Sequence, residues 1–247
     1  MLEERPKIEQ AVQAVCSREG MTVTRLPQDH AGGKWRLRYE SSMSGGGNLE
    51  VDLNYMFRVP LWPVTRRDSR PVGSFSAKGI LVLDVHELAA GKLVALLSRG
   101  ASRDLFDVRQ LLSTQILNRR ELRLGFVLYG AMNRMDWRTV SFDAIDTDAR
   151  ELENQLVPLM RSSLAEEHGA SSNCAEKLVE ECRQKLDVVL PLADNEREFL
   201  DRLLDHGEID PALLTQDEQM SVRIRSHPLL QWKALNVRQH KLDRIDS

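Results

Sequence analysis

The hydrophobic period of this chain changes at residue 84, and that change limits the fold more than any other feature of its 247 residues. Before it, apolar and polar residues alternate in short stretches, Met21 to Leu26, Lys34 to Tyr39 and Asn48 to Tyr55. Gly32-Gly33 and Ser44-Gly45-Gly46-Gly47 separate them. Successive strand side chains point to opposite faces, so the pattern predicts half-buried antiparallel strands joined by hairpins. Ile8, Ala11, Val12 and Val15 lie at helical spacing before Gly20, which predicts a leading helix over Glu3 to Arg18. A loop rich in Pro and Arg runs from Pro60 to Pro71, and the apolar run Gly79 to Leu83 predicts a fourth strand.

Beyond residue 84 the period is that of helices. Asp84 and Glu87 stand three apart before an apolar helical pattern, the spacing of a capping box. The helix is expected over Val85 to Arg99, stops at Gly100 and restarts at Ser102 as a second helix, Arg103 to Leu112. Further helices are expected over Arg120 to Met132, Asp148 to Met160, Asn173 to Leu190, Asn195 to Asp205 and Leu229 to Arg238. The predicted class is α+β: a short, mostly antiparallel or mixed sheet within residues 1–84, then a helical domain over 85–247.

Composition narrows the class of protein. Apolar residues at 42% and charged residues at 29% suit a globular chain, not a disordered or disulfide-stapled one. No apolar run reaches the roughly 20 residues of a membrane span. Charged residues from Glu3 to Glu9 stand where a signal core would lie, so a cytoplasmic protein is expected. Cys16, Cys174 and Cys182 have no C-x-x-C spacing and read as plain thiols. The six histidines form no metal-ligand pair, and no G-x-S-x-G supports a serine hydrolase. Residues 1–140 hold 21 Lys and Arg against 15 Asp and Glu, whereas the remainder hold 13 against 22. The split reads either as chance asymmetry of a solvated surface or as a site for a phosphate-bearing ligand in the N-terminal part.

Two constellations could carry chemistry. In Asn48-Leu49-Glu50-Val51-Asp52-Leu53-Asn54-Tyr55, the polar set shares one face, where Asp52 has the rigid strand placement a metal ligand or general base needs. The same pattern also fits a strand with one wet face. In the second, Lys92 borders the apolar stripe of its helix. Lys92 lies eight to nine residues before the bend near Gly100 and Asp107 six to seven after it, so their heights differ by about 3 Å at 1.5 Å per residue. The ammonium could meet Asp107, with Asp104 on the same face as Asp107 and Arg103 able to pair with Asp107 at i,i+4. These charges read either as a lattice joining two helices or as a site. Gly45-Gly46-Gly47 lacks phosphate-loop spacing and reads as a hairpin. Arg58, Arg66, Arg67 and Arg70, with Trp62, form a basic stretch that could bind a nucleic-acid backbone.

The segments "LEVDLNY", "ILVLD" and "HELAAGKLVALLSRGASRDLFDVRQLL", with "REFLDRLLDHGEIDPALL" and "HPLLQWKALN" near the end, resemble the AbiEii/AbiGii nucleotidyltransferase toxin family of abortive-infection and toxin–antitoxin systems of bacterial phage defence. The resemblance implies a nucleotidyltransferase palm with a helical C-terminal half, a nucleoside triphosphate substrate, Mg2+, an acceptor such as tRNA or another RNA, and an antitoxin partner. It implies Asp52 as metal ligand or base, Lys92 and Arg103 as nucleotide-binding, and Asp104 and Asp107 as the final acidic motif. It further implies that Asp52 and Lys92 converge on a phosphorylated ligand. The family's opening Gly-Ser motif and D-x-D strand have no counterpart here, so the palm is expected to be incomplete. Either the enzyme begins upstream of Met1, or the chain is a remnant with little transfer of its own. The competing expectation is a catalytically dead module that binds an antitoxin-type partner.

Overall fold

The computed structural model describes residues 4–26, 32–41, 45–54, 59–114, 116–141, 143, 145, 149–151, 154, 156 and 173–245. Tyr55, Arg58, the side chain of Cys174 and most of the helix expected over Asp148 to Met160 lie outside the described residues. The chain divides into two compact units, Met1–Arg58 and Val59–Ser247.

In the first unit, helix α1 (Glu4–Arg18) precedes a three-stranded antiparallel sheet of β1 (Thr22–Leu26), β2 (Gly32–Tyr39) and β3 (Gly47–Asn54), in the order β1-β2-β3. The register sets Trp35 opposite Val51 and Lys34 opposite Asp52, so one face is apolar and the other charged. Cys16, Trp35 and Leu37 are buried, and Val12, Val23, Val51 and Leu53 pack around them. Gly33 is required here, because a Cβ would stand 2.3 Å from the Trp35 ring that lies over it.

The second unit opens with β4 (Thr65–Arg67) and β5 (Ile80–Val82), a separate two-stranded antiparallel ribbon. The expected fourth strand therefore pairs with a short strand inside the Pro/Arg loop and not with the first sheet. Helices α2 (Val85–Arg99), α3 (Ser102–Thr114) and α4 (Arg119–Ala131) follow. After them come a short 3-10 turn at Trp137–Thr139, the single turn α5 (Ala149–Glu151), α6 (Asn173–Leu186) and α7 (Asp194–Asp201). Helix α7 runs on as a π turn, Arg202–His206, before a 3-10 turn at Pro211–Leu213, α8 (Glu218–Ser226) and α9 (Pro228–Ile245). Helix α2 packs on both α3 and α4, and α3 packs on α6.

The core of this unit draws Leu93, Leu96 and Leu97 from α2, Leu105 and Val108 from α3, and Leu122, Phe126 and Leu128 from α4. Each such side chain contributes about 1.5–3 kcal/mol by leaving water. Asp84 caps α2 by accepting from the backbone N–H of His86, and Gly100 closes it in the left-handed conformation at φ 65°. Among the described residues, no helix is long and apolar enough to cross a membrane.

Candidate functional site

On the charged face of the first sheet, the β2–β3 register brings Lys34 to Asp52 and Arg36 to Glu50. Lys34 Nζ lies 2.8 Å from Glu50 Oε2 and 3.9 Å from Asp52 Oδ2, and Arg36 donates to Glu50 Oε1 at 3.1 Å. The hydrogen bond to Glu50 raises the Lys34 pKa, and the two cations hold the Glu50 carboxyl below its ordinary range. Asp52 is exposed on this open face, as the alternation predicts.

These donors do not fit a divalent cation as they stand. Magnesium requires near-octahedral oxygen coordination. The Lys34 ammonium already stands within ion-pair distance of both carboxylates, in the position a bridging cation would take. No cluster of three or more metal-binding side chains occurs among the described residues.

In the second unit, the α2–α3 hairpin carries the other candidates. A 15-residue helix closed at Gly100 and a restart at Ser102 fix the heights of side chains on either side of the bend. Lys92 Nζ donates to Asp107 Oδ2 at 2.6 Å, as the height argument predicts, and the two side chains are 45% and 40% exposed. Asp107 thus takes Lys92 and not Arg103, which is exposed and makes no ion pair among the described residues.

Asp104 has a different partner. Arg99 grips it with two hydrogen bonds, Nε to Oδ2 at 2.5 Å and Nη2 to Oδ1 at 2.8 Å. The Asp104 carboxylate is buried, while the Arg99 side chain is half exposed. The fork holds the guanidinium more firmly protonated and ties the end of α2 to the first turn of α3. The hairpin is thus a rigid bend that presents one lysine, with two of its three ammonium hydrogens free of the Asp107 bond.

Sequence reasoning missed a second buried polar knot. Glu87 does not turn back to its own N-cap. Its carboxylate is buried and accepts from the backbone N–H groups of Leu61 at 2.9 Å and Trp62 at 3.4 Å, and from Tyr129 Oη at 2.7 Å. Burial and the Glu87 carboxylate push the Tyr129 phenol well above its usual range. Arg223 Nη1 donates to Leu61 O at 3.0 Å, and His227 joins Val59 O at 3.1 Å. The knot pins the segment after Val59 to α2, α4, α8 and the start of α9.

A cleft of about 540 Å³ was also missed; Arg119, Arg120, Arg123, Glu196 and Leu213 are among the residues that line it. Arg123 pairs with Glu196 at 2.9 and 2.6 Å. One local signal marks it: Arg119 and Arg120 occupy the first turn of α4, where positive charge opposes the helix dipole.

The helix-backed antiparallel sheet and the helical unit that follows it are similar in fold to a solved nucleotidyltransferase toxin. MenT4, a nucleotidyltransferase toxin from Mycobacterium tuberculosis, is similar to this chain with a TM-score of 0.52 at 14% identity, over 86% of this chain and 67% of that one. The chain belongs to the AbiEii family, described as nucleotidyl transferase AbiEii toxin of a type IV toxin–antitoxin system, whose family model matches residues 1–218. No curated protein matches the chain.

Proposed function

We propose that this chain is the toxin of a type IV toxin–antitoxin pair and that it transfers a nucleotide from a nucleoside triphosphate to an RNA acceptor such as tRNA. In such a transfer an acceptor hydroxyl gives its proton to solvent and its oxygen bonds to the α-phosphorus, while the bond from that phosphorus to the bridging oxygen breaks and pyrophosphate leaves. The observation that carries the reading is the Lys92–Asp107 pair on the braced α2–α3 hairpin. Asp107 orients the ammonium, whose remaining hydrogens bind phosphate oxygens, and Arg103, exposed on the same hairpin, adds a second cation. Asp104 is a positioning residue that acts through Arg99.

Asp52 is the carboxylate that family resemblance assigns to the reaction. Transfer by the chain alone is expected to be weak, because Asp52 and Glu50 share Lys34. An RNA acceptor places the activity in the cytoplasm. The test is transfer of radiolabelled nucleotide to total tRNA by the wild type and by Asp52→Ala and Lys92→Ala. The proposal expects both variants to lose the product, and equal incorporation by all three removes it.

The position of Lys34 also favours a second reading, a catalytically silent module that holds an antitoxin-type partner. That reading expects intact antitoxin binding with no nucleotide binding by the wild type.

A further inference from the structure

The β4–β5 ribbon contributes nothing to the core, yet it is built in detail. Thr65, Arg66 and Arg67 pair with Val82, Leu81 and Ile80, and a bridge between Val72 and Phe75 closes the far end around Gly73 at φ +60°. Between them, Ser69 N–H donates to Ala77 O and Ser69 Oγ accepts from the Ala77 N–H, both at 2.8 Å. Asp68 organises the outgoing strand, accepting from Gly79 N–H at 2.9 Å and from Lys78 at 3.1 Å. A two-stranded ribbon on its own is marginal in water, so exposure on both faces is a cost that core packing does not offset.

What the ribbon carries is charge and an exposed ring. Arg66, Arg67, Arg70 and Lys78 stand against Asp68. Lys78 is neutralised by Asp68, and Arg66 donates to a carbonyl, Gly79 O at 2.9 Å, which leaves its charge intact. Arg67 and Arg70 form no ion pair among the described residues. At the tip Phe75 is 81% exposed and Val72 78%, values that no folding argument favours for such side chains.

We propose that this ribbon is an RNA-binding arm: Arg66, Arg67 and Arg70 hold the backbone of a single-stranded segment, and Phe75 stacks on one of its bases. Three unneutralised guanidinium groups, Arg66 and Arg67 on opposite faces of the ribbon, and one exposed aromatic ring at its tip match a polyanion with unpaired bases that wraps the arm. A-form duplex hides its bases in a deep groove and would leave Phe75 unused. That the bound strand is the acceptor of nucleotide transfer rests on the function proposed above, whereas binding itself does not.

The experiment measures fluorescence anisotropy of a labelled, mixed-sequence single-stranded RNA with the full chain, without nucleoside triphosphate, across a salt series. Three phosphate contacts give about −2 to the slope of log affinity against log salt. Arg66→Gln/Arg67→Gln/Arg70→Gln is expected to remove that share and to weaken binding at low salt by at least about ten-fold. The matching triple Arg→Lys variant is expected to keep the slope. Phe75→Ala should weaken single-stranded RNA about ten-fold at unchanged slope and leave an RNA duplex unaffected.

Wild-type affinity and slope in the triple Gln variant overturn the proposal, as does a wild type that does not bind RNA. Loss of antitoxin binding in that variant, with RNA binding intact, also overturns it and assigns the arm to a protein partner. The binding assay contains no nucleoside triphosphate, so its outcome does not depend on transfer. Failure of transfer alone therefore speaks against the proposed function and leaves the arm standing.

Discussion

Lys92 and Asp104 sit on one hairpin and are expected to fail in opposite ways. The Lys92–Asp107 pair is nearly half exposed, so breaking it changes stability by no more than about 1 kcal/mol. Lys92→Met should melt in urea like the wild type. Asp104→Ala removes a buried acceptor from two short hydrogen bonds and is expected to cost about 1–3 kcal/mol, discounted because Arg99 can turn to water. The same urea titration reads both, and a stable Asp104→Ala would contradict the bracing role.

His227 supplies the pH dependence at this scale. Its Nδ1 accepts from the Leu229 N–H at 3.3 Å, so Nε2 carries the hydrogen given to Val59 O and the ring is neutral. Burial lowers its pKa from an ordinary value of 6.5. The unfolded chain then binds the proton first, and the stability from the neutral ring is full above about pH 6.5 and lost as pH falls toward the folded value. His227→Gln should flatten that acid decline, whose steepest slope is about 1.4 kcal/mol per pH unit. An unchanged pH profile in the variant would refute the assignment. Residue pairings were legible where helix geometry alone sets them, as for Lys92 and Asp107. Glu87 was not legible, because Leu61, Trp62 and Tyr129 reach it from distant parts of the chain.

Elements were legible where their period is strong. Helix α2 occupies the expected Val85–Arg99, and the three strands of the first sheet fall within two residues of their expected starts. Helix α8 was missed because only Met220 and Ile224 of its nine residues are buried, with Val222 61% exposed between them. Its sequence has too narrow an apolar stripe to announce a helix. The partner of β5 was missed because Thr65–Arg67 has no apolar alternation. Close helix packing gives a further prediction at Gly130 in α4, where a Cβ would stand 2.0 Å from Trp137 Nε1. Alanine has the higher helix propensity, but here it must displace a buried ring. Gly130→Ala is therefore expected to lower stability by about 1–3 kcal/mol in chemical denaturation, and a stabilised variant would show that the ring yields freely.

At the scale of the whole molecule, sequence pattern foretold the α+β class and the switch from sheet to helices, because hydrophobic period survives any arrangement of the parts. The donor set on the sheet was not foretold. Cross-strand register decides that Lys34 faces Asp52, and a single strand's alternation does not reveal its neighbour. The chain belongs to a nucleotidyltransferase toxin family, and the part we propose as phosphate-holding is the helical hairpin.

Titration of the wild type and of Lys92→Met with a nucleoside triphosphate, by calorimetry in the same buffer, tests this most directly. A charge-assisted hydrogen bond contributes about 1.5–3 kcal/mol. Loss of Lys92 should therefore weaken binding by at least about ten-fold while the urea midpoint stays put. Equal affinity in the two proteins would contradict it.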